Sequence, residues 1–227
     1  MEMRTFGRSG LRLSVLGFGC GAVGGLMVRG DPADQERAVA RALDAGVNYF
    51  DTAALYGNGE SERNLGRLLK KLRPANAVIG TKVRLPGFDR GSIFADVSSS
   101  LEASLQRLGL DSVDIFYVHN PITVTEGSES LSSDQVLEEV IPAFEKVRQQ
   151  GKARFFGITA VGDTEALQTV VDAHVFDGAQ ITYNMLNPSA AAALPPNYPA
   201  QDYGRLLDHA EAAGVGAWAF VCWRVER

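Results

Sequence analysis

Short apolar runs rich in β-branched and aromatic residues alternate along the chain with longer stretches whose apolar positions recur every three or four residues. The runs predict strands at 15–19, 47–51, 77–82, 113–119, 153–159, 178–183 and 215–220. The periodic stretches predict helices at 33–45, 61–71, 92–108, 133–150, 163–174 and 201–213. In the third of these, Phe94, Val97, Leu101, Leu105 and Leu108 form one apolar stripe, as expected of a helix lying on a sheet. Gly46, Gly109, Gly151 and Gly214 each follow the last periodic residue of a helix, where a left-handed closing residue is favoured. Strand and helix in strict alternation predict about seven βα units and a parallel sheet. A turn at 7–10 between two β-like arms predicts a small hairpin ahead of them. The Ala/Pro-rich stretch 190–199 is expected to be an irregular loop.

This alternation suits an open doubly wound sheet or a closed barrel alike. Gly19, Gly21 and Gly24 fit a dinucleotide-binding spacing only if a helix follows at once, whereas 25–30 reads as loop, which counts against the doubly wound alternative. The 227 residues, 45% hydrophobic and 22% charged, suffice for one domain spanning 1–227 with a single substantial core. A net charge of −5 with no basic stripe argues against nucleic acid or an anionic membrane as partner. The apolar stretch 212–223 is too short to cross a bilayer and no apolar segment follows Arg4, so the expected location is cytoplasmic. Cys20 and Cys222 lie far apart in sequence without ligand-type spacing; free thiols are expected, and no metal site.

In parallel α/β architectures, functional side chains gather at the C-terminal ends of the strands. Asp51, Lys82 and His119 stand at three such ends, and Tyr56 follows Asp51 in the next loop. Each alone has an ordinary explanation: Asp51 as a cap, Tyr56 as a loop aromatic, Lys82 and His119 as side chains reaching water. Together they form a proton-transfer set. A phenol titrates too high for good acid catalysis at neutral pH, but a neighbouring ammonium lowers that value, and a carboxylate keeps the ammonium charged in a dry site. A neutral imidazole can donate a hydrogen bond to a carbonyl oxygen as negative charge develops there.

The stretch Asn48-Tyr49-Phe50-Asp51-Thr52-Ala53-Ala54-Leu55-Tyr56-Gly57, with the helix-opening Ser61-Glu62, resembles the signature of the aldo-keto reductase family. The family's lysine is matched in Ile79-Gly80-Thr81-Lys82 and its histidine in Asp114-Ile115-Phe116-Tyr117-Val118-His119. The resemblance covers residues 1–217. It implies a (β/α)8 TIM-type barrel and NADPH or NADH as hydride donor. It further implies a small-molecule aldehyde or ketone as substrate, and Tyr56 as general acid assisted by Lys82, Asp51 and His119. For the cofactor it implies Asp51, Thr159 and Gln180. Ala160 departs from the family's asparagine there and removes one amide partner.

By the same resemblance the barrel is expected to be incomplete, without its last strand and helix or the cofactor loops that accompany them. Residues 218–227 do not match the family, whereas a one-base shift in reading frame from Ala217 permits Leu-Gly-Ile-Arg-Val-Leu-Ala-Gly-Gly-Ala, which points to a frameshift. The competing expectations are a genuine short variant, and an inactive barrel with a relic site or a binding or regulatory role. An unrelated barrel lyase or isomerase would need a late phosphate loop, and Gly214 and Gly216 precede a strand instead of following one.

Overall fold

The structure, a computed structural model, describes residues 1–21, 23–85 and 93–220. It opens with an antiparallel hairpin of β1 (Met3–Phe6) and β2 (Leu11–Ser14). Then follow β3 (Phe18–Gly19), α1 (Leu26–Arg29), α2 (Pro32–Asp44), β4 (Tyr49–Asp51), α3 (Glu60–Leu72), β5 (Val78–Val83), α4 (Ile93–Leu108) and β6 (Val113–Val118). A two-stranded excursion, β7 (Ile122–Thr123) with β8 (Leu131–Ser132), leads into α5 (Ser133–Gln135) and α6 (Ile141–Gln149). The chain continues through β9 (Ala153–Ala160), α7 (Thr164–Asp172), β10 (Gly178–Thr182), α8 (Leu206–Ala212) and β11 (Gly216–Phe220). Seven strands form one parallel sheet in the order β11-β10-β9-β6-β5-β4-β3, with β3 and β11 at its edges among the described residues. This is the incomplete parallel α/β barrel expected, with seven strands in its wall. No described helix is long and apolar enough to cross a membrane.

Alternation along each strand separates two cores. Phe50, Ile79, Phe116, Val118, Phe156, Ile158, Ala179 and Ile181 face the helices and join the main apolar cluster, which includes Val97, Leu101, Leu105 and Leu108 of α4. Their sequence neighbours Tyr49, Val78, Ile115 and Tyr117 form a second cluster with Phe6, Leu11 and Leu13 of the hairpin. Both faces of the sheet are thus buried, which is why the strands read as continuous apolar runs. The register Asp51↔Gly80, Lys82↔Tyr117, Tyr117↔Gly157, Thr159↔Gln180 and Gln180↔Trp218 places all these residues on the inner face.

The expected glycine stops hold: Gly46, Gly109, Gly151 and Gly214 have φ of 85°, 66°, 72° and 66°. Four local expectations change. The segment 25–30, read as loop, contains the single turn α1, because Met27 is buried and Gln35 Nε2 donates to Leu26 O and Gly30 O at 3.0 and 3.1 Å. The helix expected at 133–150 passes through a π-helical turn at Val136–Val140 between α5 and α6, adjoining Pro142, which has no N–H for the regular ladder. The helix expected from 201 begins at Leu206, since Gly204 and Arg205 both hold positive φ, 57° and 58°. The strand expected at 15–19 shrinks to Phe18–Gly19, with Val15 N donating to Glu2 O at 3.0 Å beside the hairpin. The start of α4 expected at Ser92, and the residues 221–227 including Cys222 and Trp223, lie outside the described residues.

The hairpin closes the N-terminal end of the sheet. Arg8 N donates to Gly214 O at 2.8 Å and the Arg8 guanidinium donates to Phe176 O at 2.7 Å. Phe6 presses onto the first residues of β10 and β11, where a Cβ on Gly178 or Gly216 would lie 2.6 Å from its ring. Phe6 is 5% exposed. Phe6→Ala is therefore expected to cost about 3 to 5 kcal/mol, read from the shift of the urea-unfolding midpoint at constant slope.

Candidate active site

At the opposite end of the strands the inner face is polar. Asp51 ends β4, and Thr52 N donates to Gly80 O at 2.9 Å, so the chain leaves the strand still tied to β5. Thr52 Oγ1 donates to Ser61 Oγ at 2.8 Å, which in turn donates to Cys20 O at 2.8 Å. Glu62 has no solvent exposure and accepts from Thr81 Oγ1 at 2.5 Å and Arg107 Nε at 2.6 Å. The Asp-Thr and Ser-Glu pairs of the sequence signature thus brace the loop 53–59 at both ends, and this loop carries Tyr56. Sequence reasoning read them as motif members and missed their role as cross-links.

Lys82, on the inner face of β5, is fully buried, and its ammonium donates to Asp51 Oδ2 at 2.7 Å, Thr52 O at 2.9 Å and Tyr56 Oη at 3.3 Å. All three protons are used. Burial pulls the Lys82 pKa down, but the charge of Asp51, the Tyr56 oxygen and the hydrogen bonds to both outweigh it, and the net shift is upward. The lysine is held charged, as the pairing with Asp51 requires. Asp51 Oδ1 accepts from Gln180 Nε2 at 2.6 Å and from the Tyr49 hydroxyl at 3.3 Å.

His119 follows the end of β6 with its N–H donating to Val83 O at 2.7 Å. Its ring stands edge-on to Tyr56, centroids 5.7 Å apart at 87°. Burial first, then the charges of Lys82 and Arg84, push its pKa down to about 3. The imidazole is therefore neutral at physiological pH, and its Nδ1 is buried without a hydrogen-bond partner. Asp51, Tyr56 and His119 converge on one cleft of about 510 Å³, which Arg84, Thr159, Gln180 and Trp218 also line, and Lys82 lies buried behind Asp51 and Tyr56.

Thr159 and Gln180 lie side by side in register on β9 and β10, with Thr159 Oγ1 donating to Val118 O at 3.0 Å. Ala160, whose alanine was expected to remove an amide partner from the cleft, is buried in the helix-facing core. Cys20 is free and fully buried; burial and the Asp51 charge push its thiol far above the usual range, so it is no nucleophile. Trp218 and Phe220, expected to belong to a tail unlike the family, lie in β11, which pairs with β10 through Thr182↔Phe220. Trp218 packs edge-on against Tyr49 with centroids 4.6 Å apart.

The sequence profile of the Aldo/keto reductase family matches residues 15–220, and the chain belongs to that family. The match runs three residues beyond Ala217, where the resemblance was expected to stop. The chain is 38% identical over 168 residues to L-galactose dehydrogenase of Arabidopsis thaliana, an alignment covering 71% of this chain and 49% of that protein. The chain thus spans about half the length of that relative. Among solved structures it resembles the holo form of an aldo-keto reductase from Bacillus halodurans at 25% identity and a TM-score of 0.75, over 96% of this chain and 65% of the other. An aldo-keto reductase from Pseudomonas aeruginosa aligns at 27% identity with a TM-score of 0.71, over 96% and 77% of the two chains.

The low His119 value has a consequence for stability. Between about 3 and the ordinary value of 6.5 the unfolded chain binds a proton there that the folded chain does not, so this contribution is complete above 6.5 and is lost as pH falls toward 3. In His119→Gln the slope of unfolding free energy against pH across that window should be shallower by up to about 1.4 kcal/mol per pH unit, as urea titrations at successive pH values would reveal.

Proposed function

We propose that the chain reduces an aldehyde or ketone to the alcohol, with NADPH or NADH as hydride donor and Tyr56 as the proton donor. The observation that carries this reading is the contact of Tyr56 Oη with the ammonium of Lys82, fully buried and held charged by Asp51 at 2.7 Å. A positive charge beside a phenol stabilises the phenolate left behind when the proton goes to the substrate oxygen. His119, neutral and lacking a partner at Nδ1, is free to turn an N–H toward that oxygen and stabilise charge developing on it. Because Lys82 has no proton to spare, it acts by its field, while Asp51 keeps it in place.

The cleft suits a nicotinamide ring. A Cβ added to Gly19, which lines it, would meet no atom within 4 Å and would stand in the open space a flat ring needs. Thr159 and Gln180 offer hydroxyl and amide groups to a carboxamide, with Asp51 beside them. When bound, the reduced nicotinamide supplies the hydride. The same groups run in reverse for oxidation of an alcohol, the direction for which the plant relative is named.

Tyr56→Phe removes the acid without touching these cofactor groups. Carbonyl reduction should fall at least about a hundredfold, while quenching of nicotinamide fluorescence on titration with NADPH stays unchanged. Equal loss of both would remove Tyr56 from the acid's role. Absence of saturable NADPH binding in the unsubstituted chain would overturn the reductase reading in favour of a relic or regulatory barrel.

A further inference from the structure

Directly beneath Asp51 the inner face holds two phenols to which the proposed chemistry gives no part. Tyr49 and Tyr117 are fully buried, their oxygens are 2.9 Å apart, and Tyr49 Oη reaches Asp51 Oδ1 at 3.3 Å. Burial above all, with the Asp51 charge, keeps both protonated well above the ordinary tyrosine range. Each hydroxyl therefore has one proton to give. The carboxylate only accepts, so the Tyr49 proton points to Asp51, and the Tyr49 oxygen is left to accept from Tyr117.

The sheet makes room for this pair. A Cβ on Gly80 would lie 2.7 Å from Tyr49 Oη and 3.1 Å from the Tyr117 ring, and one on Gly157 would lie 2.4 Å from the Tyr117 ring. Two phenylalanines would fill the same volume without the cost of burying polar atoms. The hydroxyls are instead connected to each other and to the carboxylate that anchors Lys82.

We propose that Tyr117 and Tyr49 form a directed hydrogen-bond relay that positions Asp51 and takes up part of its negative charge, and so sets how much of that charge is felt at Tyr56 through Lys82. Both are positioning residues. Taking the Tyr49 hydroxyl away concentrates negative charge on Asp51, disfavours phenolate at Tyr56 and moves its titration to higher pH. Taking the Tyr117 hydroxyl away leaves Tyr49 a weaker donor, with a smaller effect of the same sign. Tyr117 reaches Asp51 chiefly through Tyr49, with Gln180 as a second contact, so its removal adds less once Tyr49 is phenylalanine than it does alone.

The inference rests on the reading of Tyr56 as proton donor only for its catalytic consequence, and its test needs no turnover. The near-UV phenolate band is followed against pH in the wild-type chain, Tyr49→Phe, Tyr117→Phe and the double variant, each referenced to the same chain carrying Tyr56→Phe, so that the difference reports Tyr56 alone. The expected result is a several-fold drop in Tyr56 phenolate for Tyr49→Phe at the wild-type midpoint, a smaller drop for Tyr117→Phe, and a double variant shifted by less than the sum of the two. An unmoved Tyr56 midpoint in Tyr49→Phe, or additive shifts in the double variant, overturns the relay, whether or not the chain reduces carbonyls. If far-UV circular dichroism shows that Tyr49→Phe does not fold, Tyr117→Phe alone decides: an upward shift supports the relay and an unmoved midpoint overturns it. In chains that turn over, the basic limb of kcat should move to higher pH in step with the titration, with KM unchanged.

Discussion

The ion pair between Lys82 and Asp51 is the interaction on which the rest of the site depends. An ammonium with no exposed surface is tolerated only if its charge is matched and its protons are placed. Here one proton goes to a carboxylate, one to the carbonyl of Thr52 and one to the phenol of Tyr56. Because Thr52 O is backbone, the pair also fixes where the chain turns out of β4, and hence where the loop bearing Tyr56 begins. Removing either partner of such a buried pair costs about 3 to 5 kcal/mol, so the geometry that tunes the phenol is also part of what holds the barrel wall together.

Much of this was legible in the sequence because two patterns coincide with function. Apolar recurrence at three and four residues located the helices, and short continuous apolar runs located the strands. Strand ends then nominated Asp51, Lys82 and His119; the structure brings Asp51 and His119 to one cleft with Tyr56 and buries Lys82 against Asp51 and Tyr56. What escaped was governed by contacts distant in sequence. Pattern along the chain does not show that Met27 anchors a helical turn in a glycine-rich segment, nor that Arg107 reaches Glu62 from the next helix. Pro142, by contrast, was a local signal for the π-helical turn. A further local signal went unused: the residues two positions before Asp51 and two before His119 must share their inner face, and both are tyrosines.

The two faces of each strand do different work in consequence. The helix-facing side is largely apolar, with Thr81 tied to Glu62 as an exception, and elsewhere it has only to fill space, so hydrophobic swaps of similar volume there should cost little. The inner side changes character along its length, from Phe6, Leu11 and Leu13 at the hairpin, through the tyrosine pair, to the charged and polar groups at the cleft. Depth along this axis is a gradient of polarity, and the tyrosines are its natural middle layer, with rings that pack against the hydrophobic plug and hydroxyls turned toward the carboxylate.

Gly80 and Gly157 give that middle layer a combinatorial character. Each tyrosine ring occupies volume that a methyl group on a neighbouring strand would claim, so the four positions 49, 80, 117 and 157 behave as a single volume shared among β4, β5, β6 and β9. Single substitutions at the glycines overfill it and single truncations of the tyrosines hollow it, whereas paired exchanges of bulk between strands keep it filled. Libraries randomising these four codons together should therefore yield folded members in correlated sets, with a small residue regained on one strand wherever a large one is lost on the next.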